Sequence, residues 1–323
     1  MSLITRFKRW VLTWALTVAF TFPKQHYPRQ IIAFLSFFFR KRSSWIHKVD
    51  GYGYWVAEDL KGAKREAISD RISESDVVLL WVPGGGFRFD LGKLYTPTFA
   101  TWIRALQADR NIKSMVFVAD YHLGPEQLFP TAMKDVARTY DWLVDTMHIS
   151  PQKIIIGGDD AGVAILLDTL FHKIPSDKRP AGMICASPYT GLEAGGPSWH
   201  ANLGADILTE KSIERMEESY MGPEDAEYED DIPPFRYLRQ TNELASFIPR
   251  RLLVLLGGKE VLLEEGGILA SRATGSGVQT MVVQEPTGVH LWFMFLDILV
   301  EDSSSRQAMM DRFVEFVYGT IKR

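Results

Sequence analysis

Short runs of hydrophobic residues alternate with segments of helical periodicity from about residue 75 to the end of the chain. Apolar runs of five or six residues bounded by turns are typical of strands buried on both faces, and apolar positions three and four apart are typical of helices packed on a sheet. The predicted strands are 77–82, 114–119, 153–157, 181–186, 251–256 and 279–284. The predicted helices are 97–109, 131–147, 163–172 and 306–322. This alternation predicts an α/β fold with a doubly wound, mostly parallel sheet.

Two apolar stretches precede this region. A basic start is followed by an uncharged run from Trp10 to Phe22, and a second run extends from Ile31 to Phe39. Both runs are shorter than the roughly 20 apolar residues that a membrane-spanning helix needs. We therefore predict that residues 1–50 form lid helices over an active site, with attachment to a membrane interface as the alternative.

The segment from about 190 to 245 is longer than a simple crossover between two strands. We expect it to be a lid insertion in a catalytic domain that extends over residues 51–323. Its acidic run, 224–231, is typical of solvated surface.

Composition narrows the function classes. The chain has 323 residues, of which 46% are hydrophobic and 24% charged, as in ordinary globular proteins. Its formal charge of −4 argues against a nucleic-acid partner. The single cysteine, Cys185, excludes an intrachain disulfide and favours a cytoplasmic location, with membrane association left open. We expect no metal and no cofactor, because the corresponding motifs are missing. A homodimer is left open.

Four segments carry candidate chemistry. The glycine triplet 84–86 follows a predicted strand, and consecutive glycines can aim backbone N–H groups at one point, as an oxyanion hole requires. Asp160 is the centre of a Gly-Asp-Asp-Ala-Gly turn between a strand and a helix, where small neighbours let one side chain project over the sheet edge. Glu260 and His290 follow later strands. The order of nucleophile position, acid and histidine is that of the α/β-hydrolases.

Together these motifs resemble the hormone-sensitive-lipase family of carboxylesterases, whose hallmarks include HGGGF, YRLAPE, GDSAG and a late histidine. The resemblance covers roughly residues 75–323 and implies an α/β-hydrolase fold with a helical lid. It implies that His290 is the base, that Glu260 is the acid, and that Asp160 stands where the family has its nucleophilic serine. The oxyanion-hole amides that it implies are those of Gly84, Gly85 and Ala161.

The aspartate determines the predicted reaction. A carboxylate attacking an ester would give a mixed anhydride, which is unfavourable to form, so simple esterase turnover is not expected. The favoured hypothesis is acid–base chemistry by Asp160, His290 and Glu260, giving cyclisation, aldol- or Knoevenagel-type condensation, or elimination on an apolar carbonyl-containing intermediate of secondary metabolism. One alternative is a hydrolase that uses Asp160 as the nucleophile on an epoxide or alkyl halide, as some members of the superfamily do. Another is a non-catalytic small-molecule receptor or inactive esterase homologue.

The expected ligand is an apolar small molecule. The lid segments are rich in Trp and Phe, and no basic cluster marks an anionic pocket. The predicted substrate-binding residues are Phe87, Trp292 and Phe293, although aromatic side chains at these positions also suit core packing.

Overall fold

The computed structural model describes residues 3–39, 43–191, 196–222 and 243–322, which form an eight-stranded sheet flanked by helices. The strands are β1 (Ile46–Val49), β2 (Gly53–Val56), β3 (Val77–Val82), β4 (Ser114–Ala119), β5 (Ile154–Asp160), β6 (Gly182–Pro188), β7 (Arg251–Gly257) and β8 (Gln279–Glu285). The helices are α1 (Leu3–Thr21), α2 (His26–Phe39), α3 (Arg65–Glu74), α4 (Thr96–Arg110), α5 (Thr131–Asp141), α6 (Ala161–His172), α7 (Pro197–Asn202), α8 (Glu210–Met221), α9 (Leu263–Gly275), α10 (Leu296–Leu299) and α11 (Ser303–Ile321). The predicted acidic surface run lies outside the described residues.

The strand order across the sheet is β1-β2-β4-β3-β5-β6-β7-β8. The pairs β1–β2 and β2–β4 are antiparallel, and all the other pairs are parallel, which confirms the predicted doubly wound, mostly parallel sheet. The two antiparallel strands, β1 and β2, were not predicted, because each has only four residues and too few positions to show a period.

The central strands form the core of the molecule. Every residue of β3, β4, β5 and β6 is buried, which is why these strands are nearly continuous hydrophobic runs in the sequence. Val82, at the end of β3, pairs with Gly158 of β5. The glycine loop after β3 and the sharp turn after β5 therefore begin side by side at the carboxyl edge of the sheet.

The two N-terminal helices pack on each other, and α1 also contacts α8 and α10. The end of α1 is fixed by Arg88, whose buried guanidinium donates hydrogen bonds to the carbonyl oxygens of Phe20, Phe22 and Pro23 at 3.3, 2.6 and 3.1 Å. Burial lowers the pKa of Arg88 to about 10, which is still well above neutral pH, so the guanidinium is charged. It satisfies carbonyl oxygens at and just after the end of α1, which have no partner within the helix. None of the described helices is long and apolar enough to cross a membrane.

Candidate active site

The turn between β5 and α6 holds Asp160 out over the sheet edge. Asp160 has φ 49°, in the left-handed region that non-glycine residues seldom occupy. Helix α6 approaches β3 so closely that a Cβ on Gly162 would lie 2.0 Å from the carbonyl oxygen of Val82. Only glycine fits there, which explains the small residues around the aspartate in the sequence.

The carboxylate of Asp160 lies in the cradle of the glycine loop. Its Oδ2 accepts hydrogen bonds from the N–H groups of Gly85 at 3.0 Å and Gly86 at 2.7 Å. The Gly84 N–H instead donates to Asp159 Oδ2 at 3.1 Å, so the prediction that Gly84 aims into the oxyanion hole is corrected in favour of Gly86. The reason is local: the neighbouring carboxylate captures the first amide of the loop. Ala161 begins α6 directly after the turn and is fully buried.

Asp159 braces this loop from the other side. It accepts hydrogen bonds from Trp81 Nε1 at 2.8 Å and from the Tyr95 hydroxyl at 2.7 Å, in addition to the Gly84 amide. Burial raises the pKa of Asp159 to about 7, although these donors act in the opposite direction. Three donors around one buried carboxyl group fix the glycine loop relative to β5.

The structure brings Asp160, His290 and Glu260 together in a buried row. His290 Nε2 lies 3.5 Å from Asp160 Oδ1, and His290 Nδ1 lies 3.9 Å from Glu260 Oε2, with all three side chains fully buried. These are ion-pair separations, longer than ordinary hydrogen bonds. Burial alone would lower the pKa of His290, but the adjacent Asp160 and Glu260 raise it to about 10. The two adjacent carboxyl groups therefore favour the protonated form of the imidazole.

Glu260 is held at the turn after β7. Its Oε1 accepts hydrogen bonds from the Gly257 N–H at 2.7 Å and from the Ser187 hydroxyl at 2.8 Å. Burial raises the pKa of Glu260 to about 7, while His290 acts to lower it. The other oxygen, Oε2, is the one that faces the imidazole.

Two polar residues of the site were missed by the sequence reasoning. Ser187, with φ 46°, donates to Glu260 and accepts the N–H of Leu291 at 3.1 Å, so it joins the acid to the histidine segment. Asp206, between α7 and α8, accepts the N–H of His290 at 2.7 Å through Oδ1. Ser187 carried a signal, because it directly follows the predicted strand 181–186 and precedes a proline, whereas Asp206 lies in a segment without a motif.

The aromatic residues predicted to bind substrate have different surroundings in the structure. Phe87 stacks on Tyr220 of α8 with ring centroids 4.1 Å apart, beside the glycine loop. Phe293 instead packs in the core against Trp102 and Phe313, at 5.6 and 6.0 Å, so its prediction as a substrate contact is corrected. Successive side chains after a turn point in different directions, and position 293 points into the core.

Trp292, the third predicted aromatic, is also fully buried, with its ring 5.5 Å from that of Phe293. A Cβ on Gly288 would lie 2.9 Å from Trp292 Cγ, so the indole packs tightly on the loop that leads to His290. This contact gives Trp292 a packing role in positioning the histidine segment.

The aromatic residue that covers the site is Phe20 of α1. Its ring meets that of His290 edge-on at 5.7 Å. A Cβ on Gly86 would lie 2.8 Å from Met216 Cγ of α8 and 3.3 Å from Phe20, so α1 and α8 both pack tightly on the glycine loop.

The lining of five surface cavities among the described residues includes neither Asp160 nor His290. The described residues form no cluster of three or more side chains suited to hold a metal ion.

Comparison with known proteins identifies the family of the chain. The model of the alpha/beta hydrolase fold family matches residues 79–294, about two thirds of the chain. The chain therefore belongs to the α/β-hydrolase family, and its predicted α/β-hydrolase fold is confirmed.

Two curated relatives illustrate the similarity in sequence. The chain is 25% identical over 193 residues to the carboxylesterase/phospholipase LipF of Mycobacterium tuberculosis, covering 60% of this chain and 51% of that protein. It is 26% identical over 188 residues to an acetyl-hydrolase of Streptomyces hygroscopicus, covering 58% and 60%. The matches thus span about half to three fifths of those relatives.

Solved structures show the same fold over almost the whole chain. An esterase of the bacterial hormone-sensitive lipase family superposes with a TM-score of 0.73 at 23% identity, covering 99% of both chains. An esterase/lipase from an uncultured bacterium superposes with a TM-score of 0.69 at 23% identity, covering 93% of this chain and 92% of that one. At this identity the superpositions show the α/β-hydrolase fold.

Proposed function

We propose that this chain is a hydrolase in which Asp160 replaces the family's serine as nucleophile and attacks an sp³ carbon of an apolar substrate, with an epoxide as the substrate class. One observation carries the proposal: the two oxygens of Asp160 have different surroundings. Oδ2 accepts two backbone amides, whereas Oδ1 has no hydrogen-bond partner among the described residues and faces His290. This arrangement suits a nucleophile held by one oxygen and reactive through the other.

The same observation disfavours acyl transfer. An ester carbonyl would need the Gly85 and Gly86 amides to stabilise its developing oxyanion, and Asp160 Oδ2 already accepts both. It also weighs against the hypothesis of condensation, cyclisation or elimination, because an enolate intermediate needs those same amides. What favours acid–base chemistry is the buried Asp160–His290 pair, so it remains the second candidate.

In the first step, Asp160 Oδ1 forms a bond to an epoxide carbon while the C–O bond of the ring breaks. The leaving alkoxide takes a proton from His290, which is charged at neutral pH because of its raised pKa. The products are a hydroxyalkyl ester of Asp160 and a neutral imidazole. An alkyl halide would leave His290 protonated, so the charge state of the site favours the epoxide.

In the second step, the esterified Asp160 carries no charge, and one of the causes that raise the pKa of His290 is gone. The neutral imidazole takes a proton from a water that attacks Cγ of the ester. The resulting oxyanion develops on Oδ2, where the Gly85 and Gly86 amides already point. Collapse breaks the Cγ–Oδ1 bond, and the leaving alkoxide takes the proton of the hydroxyl that came from water. The diol is released, the carboxylate is regenerated, and His290 is again the imidazolium, so the net reaction is addition of one water.

The surroundings of the site support an apolar substrate. Phe20 and Met216 cover the glycine loop, and Phe87 lies beside it. The proposal includes a lid formed by α1 and by α8, the helix of the predicted 190–245 insertion that covers the glycine loop, because a substrate must displace both helices to reach the site. The rest of that insertion lies partly outside the described residues.

The test is to trap the intermediate with an apolar aryl epoxide. His290→Gln lacks the acid of the first step as well as the base of the second, so an activated aryl epoxide should open slowly and its ester should then persist. Over prolonged incubation intact mass should rise by the full mass of the epoxide, and digestion should place the adduct on Asp160. Asp160→Asn should form no adduct and no diol. Diol formation by Asp160→Asn at the wild-type rate would overturn the proposal. Turnover of carbonyl substrates without any adduct in either variant would support the acid–base candidate instead.

A further inference from the structure

The large hydrophobic side chains that remain exposed are concentrated on the first two helices. Among the described residues ten such side chains are exposed, and nine of them lie between positions 3 and 37, the tenth being Val282. Single exposed apolar residues are common on protein surfaces, but a contiguous apolar patch marks a binding surface.

On α1 these residues form one continuous stripe. Leu3, Phe7, Trp10 and Trp14 recur at helical spacing and therefore share a face, with exposed fractions of 84%, 64%, 62% and 57%. The Phe7 and Trp10 rings stack at 6.3 Å, and the Trp10 and Trp14 rings at 6.4 Å. The stripe is therefore an ordered aromatic ridge on the outside of the molecule.

Charge follows the same division of the chain. Nine of its 36 Lys and Arg residues lie in the first 49 residues, which contain none of its 40 Asp and Glu residues. The rest of the chain therefore carries 27 basic against 40 acidic residues. Arg9 and Arg29 pair with Glu301 and Glu126, whereas no ion pair among the described residues involves Arg6 or Lys24. The segment with the apolar ridge is thus also the basic part of a chain that is otherwise acidic.

We propose that the segment formed by α1 and α2 docks the chain onto an anionic phospholipid surface, with Trp10 and Trp14 at the level of the headgroups. Exposed Trp side chains beside basic residues are the composition that membrane interfaces favour. Since neither helix can cross a bilayer, the docked helices lie in the plane of the interface. A second copy of the chain is a poorer occupant, because an isologous contact would bring two basic segments together.

The position of α1 connects this surface to the candidate active site. The opposite face of α1 is buried, and its Phe20 ring lies against His290. One helix therefore faces the lipid on one side and covers the site on the other. An apolar substrate dissolved in the bilayer would meet α1 before any other element. The docking itself does not depend on the reaction proposed for Asp160.

Sedimentation with phospholipid vesicles tests the proposal, using phosphatidylcholine alone and phosphatidylcholine with about 30% phosphatidylserine. We expect the chain to bind the anionic vesicles and to release them at about 0.5 M salt. The double variant Trp10→Ser/Trp14→Ser should bind at least about tenfold more weakly. Arg6→Gln/Lys24→Gln should lose about fivefold for each charge.

Val282→Ser is the matched control, because it removes an exposed hydrophobic residue of β8, outside α1 and α2, and should bind as the wild type does. Circular dichroism melting shows that each variant is folded. Equal binding by the wild type and the double Trp variant would overturn the proposal, as would no binding to either vesicle. A dimer in sedimentation velocity that the Trp variant abolishes, without vesicle binding, would show a contact between copies and reject the lipid surface.

Discussion

At the scale of single residues, the carboxylate of Asp160 controls both partners of the site. It accepts the two amides of the glycine loop and, together with Glu260, raises the pKa of His290. The sequence could predict that these three residues meet, because their order along the chain is that of the fold. It could not predict that the side chain accepts the amides of Gly85 and Gly86, because that depends on a rotamer and on which amide Asp159 captures.

Replacing Asp160 by serine should therefore restore esterase chemistry. The shorter side chain leaves the Gly85 and Gly86 amides to a substrate carbonyl. Without the charge of Asp160 the pKa of His290 falls, so that the neutral imidazole can accept the proton of the serine hydroxyl. Hydrolysis of p-nitrophenyl acetate by Asp160→Ser should exceed that of Asp160→Ser/His290→Ala by about 10²-fold or more. Equal rates for the two variants would mean that His290 cannot serve as a base.

At the scale of elements, the site depends on how closely α6 approaches β3. Gly158 and Gly162, one on each side of the turn, predict that approach from the sequence, since only glycine tolerates it. The contributions of α1 and of the segment around Asp206 could not be predicted, because contacts such as Phe20 to His290 join distant parts of the chain without a motif. Local patterns define elements, whereas the covering of the site is a tertiary property.

Gly162→Ala tests that approach. Its Cβ would lie 2.0 Å from the Val82 carbonyl, so α6 must shift, and we expect a loss of about 2 kcal/mol or more in the free energy of unfolding. Gly267→Ala in α9 is the control, because its Cβ would meet nothing within 4 Å. That change should raise stability by about 0.5–1 kcal/mol, as alanine favours helix. Urea denaturation measures both, and equal effects would show that the turn is not tightly packed.

At the scale of the whole molecule, the mostly parallel sheet brings Asp159, Glu260 and His290 to one edge and buries them there. The sheet itself was predictable, since strands covered on both faces are continuous apolar runs. The charge states inside it were not, because they depend on burial and on neighbours from separate strands. Asp159 and Glu260 both have a pKa raised to about 7 by burial, and that of His290 is raised to about 10 by its carboxylate neighbours against the effect of burial.

These shifts predict how stability changes with pH. A group whose pKa is higher in the folded chain than in the unfolded chain binds its proton more tightly when folded, so stability falls as pH rises between the two values. For His290 that window runs from its ordinary value of 6.5 up to about 10, and for Asp159 from 3.8 up to about 7. The free energy of unfolding should therefore decrease from pH 5 to pH 9, with His290 contributing on the order of 2 kcal/mol to the loss above neutrality. His290→Gln should flatten the upper part of this profile in urea titrations while leaving the lower part sloped, because Asp159 still titrates there. Parallel profiles for the two proteins above pH 7 would show that the imidazole carries no charge in the folded chain, and the proton donor of the proposed first step would have to be another group.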